Sequence, residues 1–197
     1  MTVAQKKEFL VLLDPGTNEV IGEMEKLQVH QEGRYHAAIS VLLLDSRGRL
    51  IVQKRAAAKY HGGGLWANAC CGHPMVGESA ENAAHRRLRE ELGISCMLYR
   101  LGTLRYRAAI PAREGTLVEY ERVALFGGIH DDPFFPSPTE VEVVQKVDWE
   151  DLRRMETAPW LDLYTKRPGP ALRSQIEESI SGNEVYRDYG FTDLLQR

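Results

Sequence analysis

The chain has 197 residues, 43% hydrophobic and 27% charged, with a formal net charge of −3. That balance describes a globular chain with room for a sizeable core and argues against a broad basic surface for nucleic acid or anionic membrane. No apolar run reaches the ~20 residues of a membrane span, and the polar stretch 1–8 lacks a secretory core. Three cysteines, Cys70, Cys71 and Cys96, two of them adjacent, do not make a disulfide framework and fit a reducing cytoplasm.

In chain order, residues 9–14 read as a strand closed by the turn Pro15-Gly16-Thr17-Asn18, and 23–33 as a short polar segment. Residues 36–45 form a longer apolar run. Ser46-Arg47-Gly48-Arg49 turns the chain into a strand over 50–54, and the two strands read as a hairpin. A Gly-rich connection over 55–78 holds His61-Gly62-Gly63-Gly64 and Cys71-Gly72-His73-Pro74; loops of this length are usually functional or disordered, and Leu65-Trp66 argues for order. Ser79 is a good N-cap for a helix running to Leu92, with Ala83, Ala84, Leu88 and Leu92 as its apolar stripe and Gly93 at its end. There follow β-rich stretches over 97–110 and 117–128, a Pro-rich loop over 131–138 and a strand over 141–149. A short helix over 151–155 and a terminal helix over 171–180 complete the pass. The expected fold class is α+β: a mixed, sandwich-like β-sheet with a few covering helices, and one domain over 1–197.

Gly72 is followed after five residues by Glu78, and seven residues later comes Arg86-Arg87-Leu88-Arg89-Glu90-Glu91-Leu92-Gly93-Ile94. The segment 72–94 resembles the Nudix box, a loop–helix–loop that binds diphosphate through divalent metal. It departs at one position: where Nudix hydrolases carry a metal-binding Glu after the Arg, this chain has Arg87. Arg87 and Glu91, four apart, share a helix face. A hydrolase would gather carboxylates there to hold metals that activate water. A guanidinium instead suits diphosphate oxygens, to which it donates paired hydrogen bonds. That face would hold phosphate through Arg87 and through Mg²⁺ on Glu91; the plainer reading is an i,i+4 surface ion pair.

A second constellation has metal-ligand chemistry. His30 and His36 flank the polar segment, His73 lies in the Cys71-Gly72-His73-Pro74 loop, and Glu119 and Glu121 are two apart, so in a strand both point to one face. Imidazole with carboxylate suits Mn²⁺, Zn²⁺ or Fe²⁺ better than Ca²⁺. Taken singly, each His is more often structural than a ligand and the Glu pair more often a solvated face. Spacing alone does not bring the five together.

The residues Gly22-Glu23-Met24-Glu25-Lys26, His30, Arg34-Tyr35-His36, Lys54-Arg55, the run from Leu65 and Trp66 through Asn68 to Cys70-Cys71-Gly72-His73-Pro74, Arg105-Tyr106-Arg107-Ala108 and Glu119-Tyr120-Glu121 occur in the order seen in type I isopentenyl diphosphate isomerases. The sequence resembles that family over roughly 20–165, and the Trp-x-Asn-x-Cys-Cys-x-His-Pro stretch before the altered box is highly specific. The resemblance implies isomerisation of isopentenyl diphosphate to dimethylallyl diphosphate by protonation and deprotonation on opposite faces, through a carbocation, in isoprenoid biosynthesis. It implies metal ligands His30, His36, His73, Glu119 and Glu121, with Mn²⁺, Mg²⁺ or Zn²⁺ there and Mg²⁺ on Glu91 with the substrate diphosphate. Lys26, Arg55, Lys59 and Arg87 would hold the diphosphate, Cys71 and Glu121 would transfer protons, and Tyr106 would assist the acid. The implied partner is a prenyl diphosphate, with no nucleic acid, membrane or obligate protein partner, in the cytoplasm.

Aromatic faces can stabilise a desolvated cation by ~1–2 kcal/mol each. Trp66, Trp160 and Tyr164 are candidates beside plain core packing, with Trp160 expected at the substrate. Some family members carry a second Trp after the Pro-Trp pair; Ala158-Pro159-Trp160-Leu161-Asp162-Leu163-Tyr164 lacks it, which leaves open which ring caps the cation. Cys70 reads as a packing neighbour, Cys96 as structural and His85 as exposed. Two rival readings stand beside the isomerase. A Nudix pyrophosphohydrolase is supported by the box and opposed by Arg87 and the Cys71/His73 loop. A non-catalytic diphosphate or metal binder is opposed by Cys71, Tyr106 and Glu121 together.

Overall fold

The computed structural model describes residues 7–59, 62–112, 115–152, 154–155 and 161. In chain order the described elements are β1 (Phe9–Leu13), β2 (Val20–Glu25) and the seven-residue helix α1 (Lys26–Glu32), then β3 (Tyr35–Leu44), β4 (Leu50–Arg55), β5 (Trp66–Asn68) and β6 (Cys70–Gly72). Helix α2 (Ala80–Leu92) follows, then β7 (Tyr99–Pro111), β8 (Thr116–Ile129), β9 (Val141–Val147) and the single turn α3 (Trp149–Leu152). Among the described residues the strands join in one mixed nine-stranded sheet.

β3 organises it. One edge pairs in parallel with β8 along its whole length, from Tyr35 opposite Tyr120 to Leu44 opposite Ile129. Its other edge is shared in turn by β1 at His36, β6 at residues 39–41 and β4 at residues 43–44. A strand covered on both faces reads as a continuous apolar run, and residues 38–45 are all buried. Its alternate side chains feed two cores. Ala38, Leu42 and Leu44 pack with Val123 and Leu125 of β8 and with Tyr106 of β7. Ile39, Val41 and Leu43 pack on the opposite face with Cys70 and with Ala83, Ala84, Leu88 and Leu92 of α2.

Helix α2 has the expected bounds. The Ser79 side chain accepts from the Asn82 N–H, and Gly93 ends the helix at φ 66°. A Cβ there would also meet the Phe135 carbonyl oxygen at 2.5 Å, so glycine is required twice over. Four expectations need revision. The polar segment 23–33 holds the end of β2 and all of α1, capped by Glu25 and Gly33; seven residues are too few for helical periodicity to show. The β3–β4 hairpin is only two residue pairs long, because β4 pairs over its length with β9. The 55–78 connection contains two three-residue strands. The short helix starts at Trp149 and ends at Leu152, and β9 ends at Val147. The helix expected over 171–180 lies outside the described residues. None of the described helices is long and apolar enough to cross a membrane.

Candidate active site

β8 and β7 form a long antiparallel hairpin with Tyr106 opposite Glu121 and Ala108 opposite Glu119. The same registers put Glu121 beside His36 on one edge of β3 and Cys71 beside Ser40 on the other. Residues 36, 38 and 40 share a face of β3, so the sheet presents Glu119, Glu121, Tyr106, His36, Ser40 and Cys71 on one side. α1 adds His30 from above and the loop after β6 adds His73. Both Glu119 and Glu121 are buried, at 5% and 6% exposure, so this Glu-x-Glu pair is not a solvated face.

Ligand atoms of His30, His36, His73 and Glu121 lie within 4.8 Å of one another, all on buried residues. Nδ1 of His30 donates to the Lys26 carbonyl at 2.6 Å and Nδ1 of His36 to the Arg34 carbonyl at 2.8 Å. Those bonds leave the two Nε2 atoms as lone-pair bearers, the usual arrangement behind a metal ligand. His36 Nε2 sits 3.3 Å from His73 Nε2 and 3.4 Å from Glu121 Oε1, and His73 Nε2 is 3.2 Å from the same oxygen. Converging lone pairs at this range repel unless a cation or proton lies between them, so the donor set fits a divalent metal. Burial pushes His73 down to about 3 and also lowers His30, which keeps both as neutral imidazoles.

Glu119, the fifth expected ligand, lies outside that tight group and is tied to it through Tyr106. The Tyr106 hydroxyl is 2.6 Å from Glu119 Oε2 and 2.9 Å from Glu121 Oε2. One hydroxyl hydrogen serves one carboxylate at a time, so the pair shares a proton or leans on a cation. Burial and the charge of Glu121 push Glu119 up to about 8. Burial also works to raise Glu121, but contacts with His36 and His73 outweigh it and hold that carboxyl well below the usual range.

An open cavity of about 600 Å³, its mouth included, is lined by Cys71, His73, Tyr106, Glu119 and Glu121 together with Lys26, Arg55, Lys59, Arg87 and Glu91. Every described residue expected to handle substrate lines it; Trp160 lies outside the described residues, as does Tyr164. Trp66 packs against the core that holds Tyr106. Arg87 lies flat over Gly72, where a Cβ would meet its Cγ and Nε at 3.0 Å. Its Nη2 donates to Glu91 Oε1 at 2.6 Å and to Glu140 Oε2 at 3.0 Å, and its Nη1 to Glu90 at 2.7 Å. Arg87 and Glu91 do form an i,i+4 pair, but Glu91 is only 3% exposed and is also held by Gln53 Nε2 at 2.6 Å, so it is part of the cavity wall rather than a surface pair. The other box residues are structural: Arg86 donates to Glu78 twice at 2.8 Å and to the His73 carbonyl at 3.1 Å, pinning the loop that carries His73.

Several residues of the site had no sequence signal of their own. Glu140 bridges Lys59 at 2.6 Å and Arg87, and Glu8 pairs with Lys26 at 2.8 Å. Burial pushes the Cys71 thiol up to about 12, against a hydrogen bond with Ser40 that works the other way. Cys70, by contrast, is fully buried on the α2 face, with Sγ 3.7 Å from Glu91. Among the described residues all three cysteines are free. His85 is half-buried rather than exposed.

The NUDIX domain family matches residues 34–167. A Photorhabdus laumondii protein named isopentenyl-diphosphate Delta-isomerase 2 is 44% identical over 80% of this chain and 86% of its own length. A Serratia proteamaculans isopentenyl-diphosphate Delta-isomerase is 42% identical over 75% of this chain and 79% of its own. Among solved structures, a Deinococcus radiodurans protein superposes with TM-score 0.64 at 18% identity, covering 79% of this chain and 96% of its own. That likeness carries the fold alone.

Proposed function

The chain belongs to the NUDIX family and, within it, to the isopentenyl-diphosphate Delta-isomerases, and from that premise we propose how its cavity turns isopentenyl diphosphate into dimethylallyl diphosphate, a step of isoprenoid biosynthesis. The observation that carries the reading is that Cys71, Tyr106 and Glu121 share one cavity with four basic side chains. Lys26, Arg55, Lys59 and Arg87 hold the diphosphate, and the planar fork of Arg87 suits paired phosphate oxygens. This anchors the tail and leaves the alkene end at the sheet face that bears Cys71 and Glu121.

The environment favours a thiol at Cys71 and a carboxylate at Glu121. In that state the Cys71 proton adds to the terminal alkene carbon, giving a tertiary cation, and the electron pair stays on sulfur. Glu121 then removes a proton from the neighbouring carbon and the C–H pair becomes the new double bond. The reverse turnover starts from the thiolate and a protonated Glu121, with Tyr106 assisting that acid and passing protons between Glu121 and Glu119. Cys71 and Glu121 stand on strands that flank opposite edges of β3, and the substrate would lie between them for transfer on its two faces. Water must be kept from the cation during turnover, and Trp160 is retained as the aromatic candidate to face it.

The buried His/Glu cluster of this NUDIX domain is suited to bind a divalent metal. His30, His36, His73 and Glu121, with Glu119 beside them, would hold Mn²⁺, Mg²⁺ or Zn²⁺, and Glu91 would hold Mg²⁺ with the diphosphate; bound there, these ions supply positive charge that keeps the carboxylates ionised and draws in the tail. The whole of 1–197 is taken as one Nudix-fold unit, acting in the cytoplasm without a nucleic-acid, membrane or obligate protein partner. The test is to incubate the purified protein with isopentenyl diphosphate and Mg²⁺ and follow dimethylallyl diphosphate and free phosphate. Product without phosphate release is expected; phosphate or pyrophosphate release without isomer would replace the reading with a hydrolase.

A further inference from the structure

The Asn68 side chain is fully buried, and its Nδ2 lies 2.8 Å from the Val41 carbonyl, 2.9 Å from the Cys70 carbonyl and 3.0 Å from Ser40 Oγ. Turning the amide over would aim its oxygen at two carbonyl oxygens, so the orientation is set by the surroundings. Its Oδ1 therefore faces Cys71 and accepts the thiol S–H at 3.1 Å. Ser40, 1% exposed, lies with Oγ 3.5 Å from Cys71 Sγ. Asn68 Nδ2 has two hydrogens for three acceptors, so Ser40 Oγ accepts one that is shared with a strand carbonyl. The single hydrogen on sulfur is committed to Asn68, so the contact between Ser40 and Cys71 is filled by the Ser40 hydrogen. The three side chains close a ring in which every member donates in the same sense: Asn68 to Ser40, Ser40 to Cys71, Cys71 to Asn68.

We propose that Ser40 and Asn68 are positioning residues for proton transfer at Cys71, Asn68 parking the thiol hydrogen and Ser40 supplying the hydrogen bond that stays on sulfur when the proton leaves. The inference rests on Cys71 being a proton-transfer group of the isomerase. To react, S–H turns from Asn68 Oδ1 toward the alkene; the S–H bond breaks, its proton goes to carbon, and the electron pair is left on sulfur. At that moment the Ser40 O–H points at the developing charge without having to reorganise, the condition under which a fixed donor lowers a barrier. The same hydroxyl touches neither the diphosphate cradle nor the His/Glu cluster, so its contribution falls on turnover and not on substrate affinity.

The test compares Ser40→Ala, Ser40→Thr and Asn68→Ala for kcat and KM with isopentenyl diphosphate, alongside metal content and melting. Ser40→Ala should lose about tenfold in kcat, the worth of one hydrogen bond made to developing charge, with KM and metal content unchanged. Ser40→Thr, which keeps the hydroxyl, should recover most of that loss. Asn68→Ala should lose more than Ser40→Ala; because Asn68 also ties two strand carbonyls, a variant that fails to fold leaves the decision to the Ser40 pair. Wild-type kcat in Ser40→Ala, equal losses in the Ala and Thr variants, or a loss confined to KM would overturn the proposal. Absence of isomerase activity in the wild type would instead sink the functional reading it rests on.

Discussion

Arg87→Ala is the sharpest probe of the altered Nudix box. Arg87 makes an ion pair of 2.6 Å with Glu91, a carboxylate that is 3% exposed. Removing one member of a buried pair costs about 3–5 kcal/mol because the other charge is stranded. Two features place this case at the low end: the Arg87 side chain keeps 20% exposure, and Glu91 retains its 2.6 Å hydrogen bond from Gln53. The expected loss is about 3 kcal/mol, or ~6–12 °C in Tm for a chain of this size. Urea denaturation with and without Mg²⁺ measures it. Without metal the variant should be destabilised by that amount, and saturating Mg²⁺ should recover part of it by replacing the lost positive charge at Glu91. Arg87→Lys should fall in between, since it keeps the charge and loses the fork. A stability change under about 1 kcal/mol, the scale of an exposed pair, would refute the description of Glu91 as a buried carboxylate held by Arg87.

Other outcomes follow from the same structure. Cys71→Ala should abolish turnover with metal content and melting intact, while Cys70→Ala, which trims only the α2-facing core, should keep activity with at most ~1 kcal/mol of lost stability; activity assays with metal analysis separate the two. Leu88→Ala, at a fully buried position under α2, should cost about 2–5 kcal/mol by denaturant titration, and a smaller loss would mean that the helix packs loosely. Asp45 is 1% exposed and accepts from Arg49 Nε at 2.9 Å, Arg49 Nη2 at 2.6 Å and two backbone N–H groups. Burial works to raise it, yet these bonds hold its carboxyl below the ordinary value. Its contribution is thus complete above an unfolded pKa of about 3.9 and lost as pH falls through the lower folded value. Asp45→Asn should therefore be destabilising at neutral pH, and the gap to wild type should close only below about pH 4; a gap that closes nearer neutrality would contradict the assignment.

Much of this architecture is local chemistry and can be read along the chain. The Ser79 cap, the Ala83/Ala84/Leu88/Leu92 stripe and Gly93 delimit α2 because caps and periodicity act within a few residues. The apolar run of β3 shows for the same reason, and so does the common face of Glu119 and Glu121. What escaped was non-local or too short. The partner of β3 along its full length is β8, with Tyr35 opposite Tyr120 and Leu44 opposite Ile129, whereas the adjacent β4 looked like its hairpin mate. α1 and the strands β5 and β6 offer too few residues for any period to show. The site divides in the same way. His30, His36, His73, Cys71, Tyr106 and Glu121 stand out through the family resemblance. Ser40 passes for one polar residue in an apolar strand, Glu140 for a loop carboxylate and Glu8 for a polar terminus; only the folded chain sets Ser40 against Cys71, Glu140 against Lys59 and Arg87, and Glu8 in the cavity wall.

The central claim is that Cys71 and Glu121 exchange protons with the two ends of the shifting double bond. Incubating wild type, Cys71→Ala and Glu121→Gln with isopentenyl diphosphate and Mg²⁺ in D₂O, and following deuterium in the substrate and product pool, tests it directly. The account predicts label entering the wild-type pool as dimethylallyl diphosphate forms, and neither label nor isomer in the two variants. Incorporation by Cys71→Ala at the wild-type rate would contradict it.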